Sequence, residues 1–225
     1  MSLNEILYRI LIQGGSYLTL LKGLRATVNI SAFSLLFGTL LGALVCALRM
    51  SRLRILNIPA KIYIVILRGS PVLMLLMLMY YGVFARSSME AATIAIITFS
   101  LNVAAHVAEL LRASISATDH GQVEAARTLG FSAWQAFRLV TLPQVVTIAK
   151  PVYQSTVVNL IQWTSIVGYV SITDLTRVIN NIASRTMQPM ITIIIGMLIY
   201  LGLAYIVHGL FALSDYFAHR KEKLA

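Results

Sequence analysis

The feature that most constrains this chain is a series of apolar blocks, each long enough to cross a hydrocarbon core. A helix needs roughly 20 apolar residues for such a crossing. Five spans can be drawn, at residues 26–48, 59–84, 89–111, 144–170 and 189–213. The second is interrupted by Arg68-Gly69-Ser70-Pro71. The expected fold class is therefore all-α and integral to a membrane, with residues 1–225 forming a single transmembrane domain. Hydrophobic residues make up 58% of the chain and charged residues 12%. Ordinary soluble domains have about 45–50% apolar and about 25% charged residues.

The net charge of +10 points, on so apolar a chain, to loops that contact anionic lipid at the bilayer surface rather than to nucleic acid. The lone Cys46 lies inside an apolar block, so no disulfide framework exists and the residue reads as packing. Residues 1–22 contain Glu5 and a Gly14-Gly15 break, which does not fit a cleavable signal peptide, so the first span is expected to remain as an anchor. The apolar positions Ile6, Leu7, Ile10 and Leu11 recur at helical spacing, which predicts a short N-terminal interfacial helix over 1–22.

Basic residues set an orientation. Arg49, Arg52, Arg54, Lys61, Arg112, Arg127, Arg138, Lys150, Arg220, Lys221 and Lys223 fall on one side, eleven in all. Arg9, Lys22, Arg25, Arg86, Arg177 and Arg185 fall on the other, six in all, with Arg68 inside a span. The positive-inside rule then places the N-terminus outside and the C-terminus in the cytoplasm.

The loop between spans three and four, residues 113–143, is not a plain linker. Asp119 and Gln122 have capping-box spacing, as do Ser132 and Gln135. Glu124 to Leu129 are good helix formers, and Gly130 is placed as a left-handed cap. A second short helix is expected over 133–141, with Pro143 following. Val123, Leu129, Phe131, Trp134 and Phe137 make this cytoplasmic elbow apolar, which suits either a socket for a soluble partner or a packed interfacial hairpin.

The same loop resembles the EAA motif of binding-protein-dependent ABC importer permeases. It reads Glu124-Ala125-Ala126, then Gly130, Val140 and Leu142-Pro143, with every family spacing met. The run Leu67-Arg68-Gly69-Ser70-Pro71 is similar to the signature of the polar amino-acid uptake branch, as are Asn102 through Arg112 and Thr164-Ser165 followed by Ile166-Val167-Gly168. The likeness covers about residues 20–215 and implies a MetI-like core of five transmembrane helices. It further implies two cytoplasmic ABC ATPase subunits, a second permease subunit (identical or similar), an extracytoplasmic substrate-binding protein and a polar amino-acid-like substrate. The setting would be the bacterial inner membrane. Under this resemblance Glu124, Ala125, Ala126, Gly130, Leu142 and Pro143 couple the chain to the ATPase. Glu124 accepts hydrogen bonds or a charge pair, the alanines allow close approach, and Gly130 permits the turn.

Ionisable groups at membrane depth are functional suspects. Arg68 either snorkels to the cytoplasmic interface or pairs with an acidic neighbour. His106, Glu109 and Arg112 fall on or near one helical face. Glu109 and Arg112 are expected to neutralise each other, which leaves Arg68, Glu109 and Arg112 as structural charges. Asn102 and His106 are candidates to line the substrate path or, equally, to pin helices together. Asn159, Gln162, Thr164 and Ser165 form a polar patch in span four, and Gln162, Thr164 and Ser165 are further path candidates. Many relatives carry Lys-Asp where this chain has Gln162-Trp163, so those two family residues are not carried over.

No P-loop is present, so ATP is expected on the partner ATPase and no cofactor in this chain. No metal-ligand cluster or catalytic nucleophile–base pair stands out, so the chain is not expected to be an enzyme. The rival readings are a stand-alone secondary transporter or channel, which leaves the elbow without a purpose, and a purely scaffolding membrane subunit.

Overall fold

A computed structural model describes residues 3–222. Met1, Ser2 and residues 223–225, including the Lys223 of the charge count, lie outside the described residues. All secondary structure among those described is helical: α1 (Leu3–Leu11), α2 (Ser16–Arg49), α3 (Arg54–Gly69), α4 (Val72–Met77), α5 (Ala91–Ser116), α6 (His120–Thr128), α7 (Ala133–Ala136), α8 (Leu142–Trp163), α9 (Leu175–Thr186) and α10 (Pro189–Glu222).

Gly14 and Gly15 separate α1 from α2 with φ of 68° and 71°, a conformation that suits residues without a Cβ. The first long helix nevertheless starts at Ser16, well before the expected residue 26. Lys22 and Arg25 are acceptable to a helix even where they shorten its apolar block. By length and composition, three helices among the described residues can cross a membrane, or four if the broken pair Arg54–Gly69 and Val72–Val83 is one span. The expected fourth span corresponds to α8, 22 residues long. Gln144, Lys150, Gln154, Asn159 and Gln162 make it too polar to join that set. A 3-10 segment, Thr164–Val170, follows it.

Two expectations for the elbow are corrected. Asp119 is the N-cap of α6, but it accepts from the backbone of Gly121. The Asp119 N–H is taken by the Gln144 side chain (3.1 Å), which also bonds Gln122 (3.0 Å), so Gln144 fills the place a capping-box Gln122 would hold. The second elbow helix does not stop before Pro143. It passes through a π-turn at Phe137–Thr141 directly into α8, giving one helical run from Ala133 to Trp163. An ordinary α-turn there would set the proline ring against the Leu139 carbonyl, and the wider turn relieves that clash.

The chain divides into two compact units. One comprises the described residues up to Leu35, Pro71–Phe99 and the described residues from Val157. Its core packs Ile10 of α1 and Leu20 of α2 against Leu175, Val178, Ile179 and Ile182 of α9. The other comprises Leu36–Ser70 and Ser100–Thr156, cored by Val45, Cys46, Ala60, Ile64 and Ala108.

Candidate functional site

The elbow is held shut by its own backbone. Gly130 adopts φ 91°. Its N–H donates to Arg127 O, while Phe131 N–H donates to Ala126 O, each at 3.1 Å. That paired pattern is a Schellman cap, which requires a left-handed residue at the position of Gly130. Arg127 Nη1 donates to Phe131 O at 2.7 Å and braces the turn from outside. Ser132 and Gln135 form the full reciprocal capping box at the start of α7.

This rigid turn presents apolar surface. Leu129 is 80% exposed and Trp134 68%, and Trp134 stacks on Phe137 with ring centroids 5.8 Å apart. Glu124 and Ala125 are exposed beside them, as are Leu142 and Pro143. Ala126 is buried and lends its carbonyl to the turn.

The same unit explains the Arg68-Gly69-Ser70-Pro71 break. In an unbroken helix the Leu67 carbonyl would accept from residue 71, which is proline and has no N–H. Asn102 of α5 supplies the missing donor, its Nδ2 lying 2.9 Å from Leu67 O. Ser70 Oγ donates to Ile66 O at 2.7 Å in the same way. Where no water reaches the backbone, such groups need partners from the protein. Asn102 is 1% exposed, Arg68 is exposed and His106 is half-buried. Glu109 and Arg112 form a two-pronged ion pair with a closest approach of 2.6 Å.

In the other unit the structure brings Gln162 and Ser165 to the walls of two adjoining clefts. The first, about 390 Å³, is walled by Ser165, Gly168, Tyr169, Thr176, Arg177 and Asn180. The second, about 570 Å³, shares Thr176 and Asn180 and reaches Gln162 together with Ile193, Met197 and Leu201 of α10. Thr164 is fully buried and donates to Ile161 O, 2.6 Å away, so it does not line either cleft.

The α9 wall was not foreseen from the sequence, where 171–188 is a connection between spans. The signal was present. Leu175, Val178, Ile179, Ile182 and Ala183 are buried at helical spacing, and Asp174 precedes them as N-cap. The Asp174 carboxylate accepts from Thr176 N (2.9 Å) and Arg177 N (3.1 Å). Burial pushes this carboxyl above the usual range, against the lowering effect of those two hydrogen bonds. The α9 N-terminus is moored to α2, where Thr27 Oγ1 accepts from Leu175 N at 3.3 Å. A Cβ at Gly23 would come within 2.9 Å of Asp174 O.

Comparison with known proteins agrees with this architecture. Residues 34–220 match the family described as binding-protein-dependent transport system inner membrane component. A probable amino-acid ABC transporter permease protein, YckA of Bacillus subtilis, is 38% identical over 186 residues, covering 82% of each chain. An octopine transport system permease protein, OccM of Rhizobium meliloti, is 30% identical over 211 residues, covering 89% of this chain and 86% of its own. Among solved structures, an amino acid ABC transporter crystallised with histidines superposes with a TM-score of 0.80 at 30% identity, covering 88% of this chain and 93% of that one.

Proposed function

Because this chain belongs to the family of binding-protein-dependent transport system inner membrane components, we propose that it is the permease subunit of an ATP-driven importer of polar amino acids or their derivatives. The observation that carries this reading is the elbow. A capped, rigid turn that leaves Leu129 and Trp134 in solvent beside Glu124 is built to be covered by another protein. The partner is a cytoplasmic ABC ATPase, which binds the ATP; the permease carries no catalytic step of its own. A second permease subunit, identical or similar, completes the pore, and an extracytoplasmic binding protein delivers the solute. The N-terminus lies outside and the C-terminus in the cytoplasm.

The helical run from Ala133 to Trp163 gives the mechanism its lever. Movement of the ATPase displaces the elbow, and because the Schellman cap and capping box resist bending, the displacement passes along α8 towards Gln162. Alternating access follows if the two ends of that lever are exposed to opposite sides in turn. Gln162 and Ser165 are the path residues that face a cleft, while Asn102 acts through the helix break it closes.

The test is reconstitution in proteoliposomes with the ATPase and the binding protein. ATP-dependent uptake of an amino acid is expected, lost in Glu124→Ala with Gly130→Val alongside. Uptake by this chain alone, driven by an ion gradient, would favour a stand-alone transporter and overturn the reading.

A further inference from the structure

Building on the importer reading, we infer that the paired clefts along α9 are a carboxylate-binding subsite that accepts neutral or acidic amino acids and disfavours cationic ones. Arg177 is the one cation in the lining of either cleft, and neither lining contains an acidic residue. The nearby Asp174 is fully buried, with both oxygens engaged by backbone N–H groups of α9. It caps the helix and is not offered to a ligand.

Arg177 is half-buried, and among the described residues its guanidinium makes one hydrogen bond, from Nη1 to Gly168 O at 3.3 Å. That contact ties the side chain to Gly168 of the same lining and leaves other donors of its five-donor fork for a ligand. A planar fork held in place is suited to a carboxylate, which it can bind through two parallel hydrogen bonds. The two linings also carry uncharged polar groups, among them Ser165 and Asn180 beside Arg177, and Gln162 in the adjoining cleft. Among the described residues none of these three makes a side-chain hydrogen bond within the chain. Their oxygens can accept from an α-ammonium group without adding charge. A lysine- or arginine-like side chain would meet the Arg177 charge with no carboxylate to offset it.

The experiment is equilibrium binding to the complete permease–ATPase complex in nanodiscs, without the binding protein. The probes are L-glutamine, L-glutamate and L-arginine, each as the free acid and as the α-carboxamide. The intact complex should retain glutamine or glutamate at least tenfold more tightly than arginine, and tenfold more tightly than the matching amide. Arg177→Gln should abolish the acid-over-amide preference, and Arg177→Lys should restore part of it. Asn180→Asp should shift the preference towards arginine, a gain that misfolding cannot produce. Equal retention of acids and amides, or an unaltered preference in Arg177→Gln, overturns the subsite. A complex that imports one of these amino acids with its binding protein, yet retains none without it, also overturns the subsite alone. A complex that imports no amino acid at all overturns the importer reading, and this inference with it.

Discussion

Asn102 and Asp174 are buried polar residues that serve the backbone, Asn102 through its Nδ2 alone and Asp174 through both carboxylate oxygens. Removing the Asn102 amide leaves the Leu67 carbonyl without a donor, because Pro71 cannot provide one. An orphaned buried acceptor costs about 1–3 kcal/mol, and the part-buried Leu67 carbonyl belongs at the low end of that range, so Asn102→Leu should lower the thermal midpoint of the detergent-solubilised protein. A purely path-lining Asn102 would instead alter uptake at constant midpoint. Asp174 makes a second prediction with a definite sign. Its folded pKa is raised, so the folded state favours the protonated carboxyl. That stabilisation is fully present below the unfolded pKa and is lost as pH rises through the folded value. Asp174→Asn keeps a side-chain acceptor and should flatten the dependence of the midpoint on pH across the acidic range. Asp174→Ala removes the N-cap as well and should cost about 1 kcal/mol at every pH. Identical pH profiles for wild type and Asp174→Asn would show that the carboxyl titrates equally in both states.

Between elements, close approach is set by glycine. Gly38 and Gly42 of α2 face Val103 and Val107 of α5, and a Cβ on either glycine would lie 2.7 Å from the opposing valine. The carbonyls of Ser100 and Ala104 are almost as near, so the helices pack backbone against side chain. Gly38→Ala should cost about 1–3 kcal/mol through overpacking. Pairing it with Val103→Ala should return a large part of that loss, and a double-mutant cycle on the thermal midpoint measures the coupling; strict additivity would place the clash elsewhere. These contacts explain what was hard to read beforehand. The Gly14-Gly15 break, the Ser132–Gln135 cap and the left-handed Gly130 are local events written in neighbouring residues, and each stands where the sequence placed it. The role of Gln144 at Asp119 and that of Asn102 at Leu67 depend on partners 25 and 35 positions away. No spacing rule announces such pairs. The helix α9 was legible in principle, but its 12 residues are too few to span a membrane and pair a buried face with a polar one, so no apolar block marks them.

At the scale of the whole molecule, the same division separates coupling from cargo. The proposed coupling surface is a contiguous stretch with fixed spacing, so the motif from Glu124 to Pro143 could be read from the chain alone. The proposed cargo-facing groups are assembled from α8, the 3-10 segment, α9 and α10, and Arg177 and Asn180 became visible only once those elements were placed. This difference yields a prediction that separates the two functions. Trp134 is 68% exposed and stacked on Phe137, so it is an aromatic anchor already held in position. Truncating such anchors at an interface typically costs 2 kcal/mol or more of binding, roughly a thirtyfold loss in affinity. Trp134→Ala should therefore weaken association with the ATPase by about that factor in a titration of detergent-solubilised subunits, and should reduce ATP-driven uptake in step. Because Trp134 lies in the exposed elbow and contributes to neither cleft, amino-acid retention by permease that remains assembled should be unchanged. A variant that assembles normally but loses amino-acid retention would place Trp134 in the path instead, and would remove the distinction between lever and cleft on which the mechanism depends.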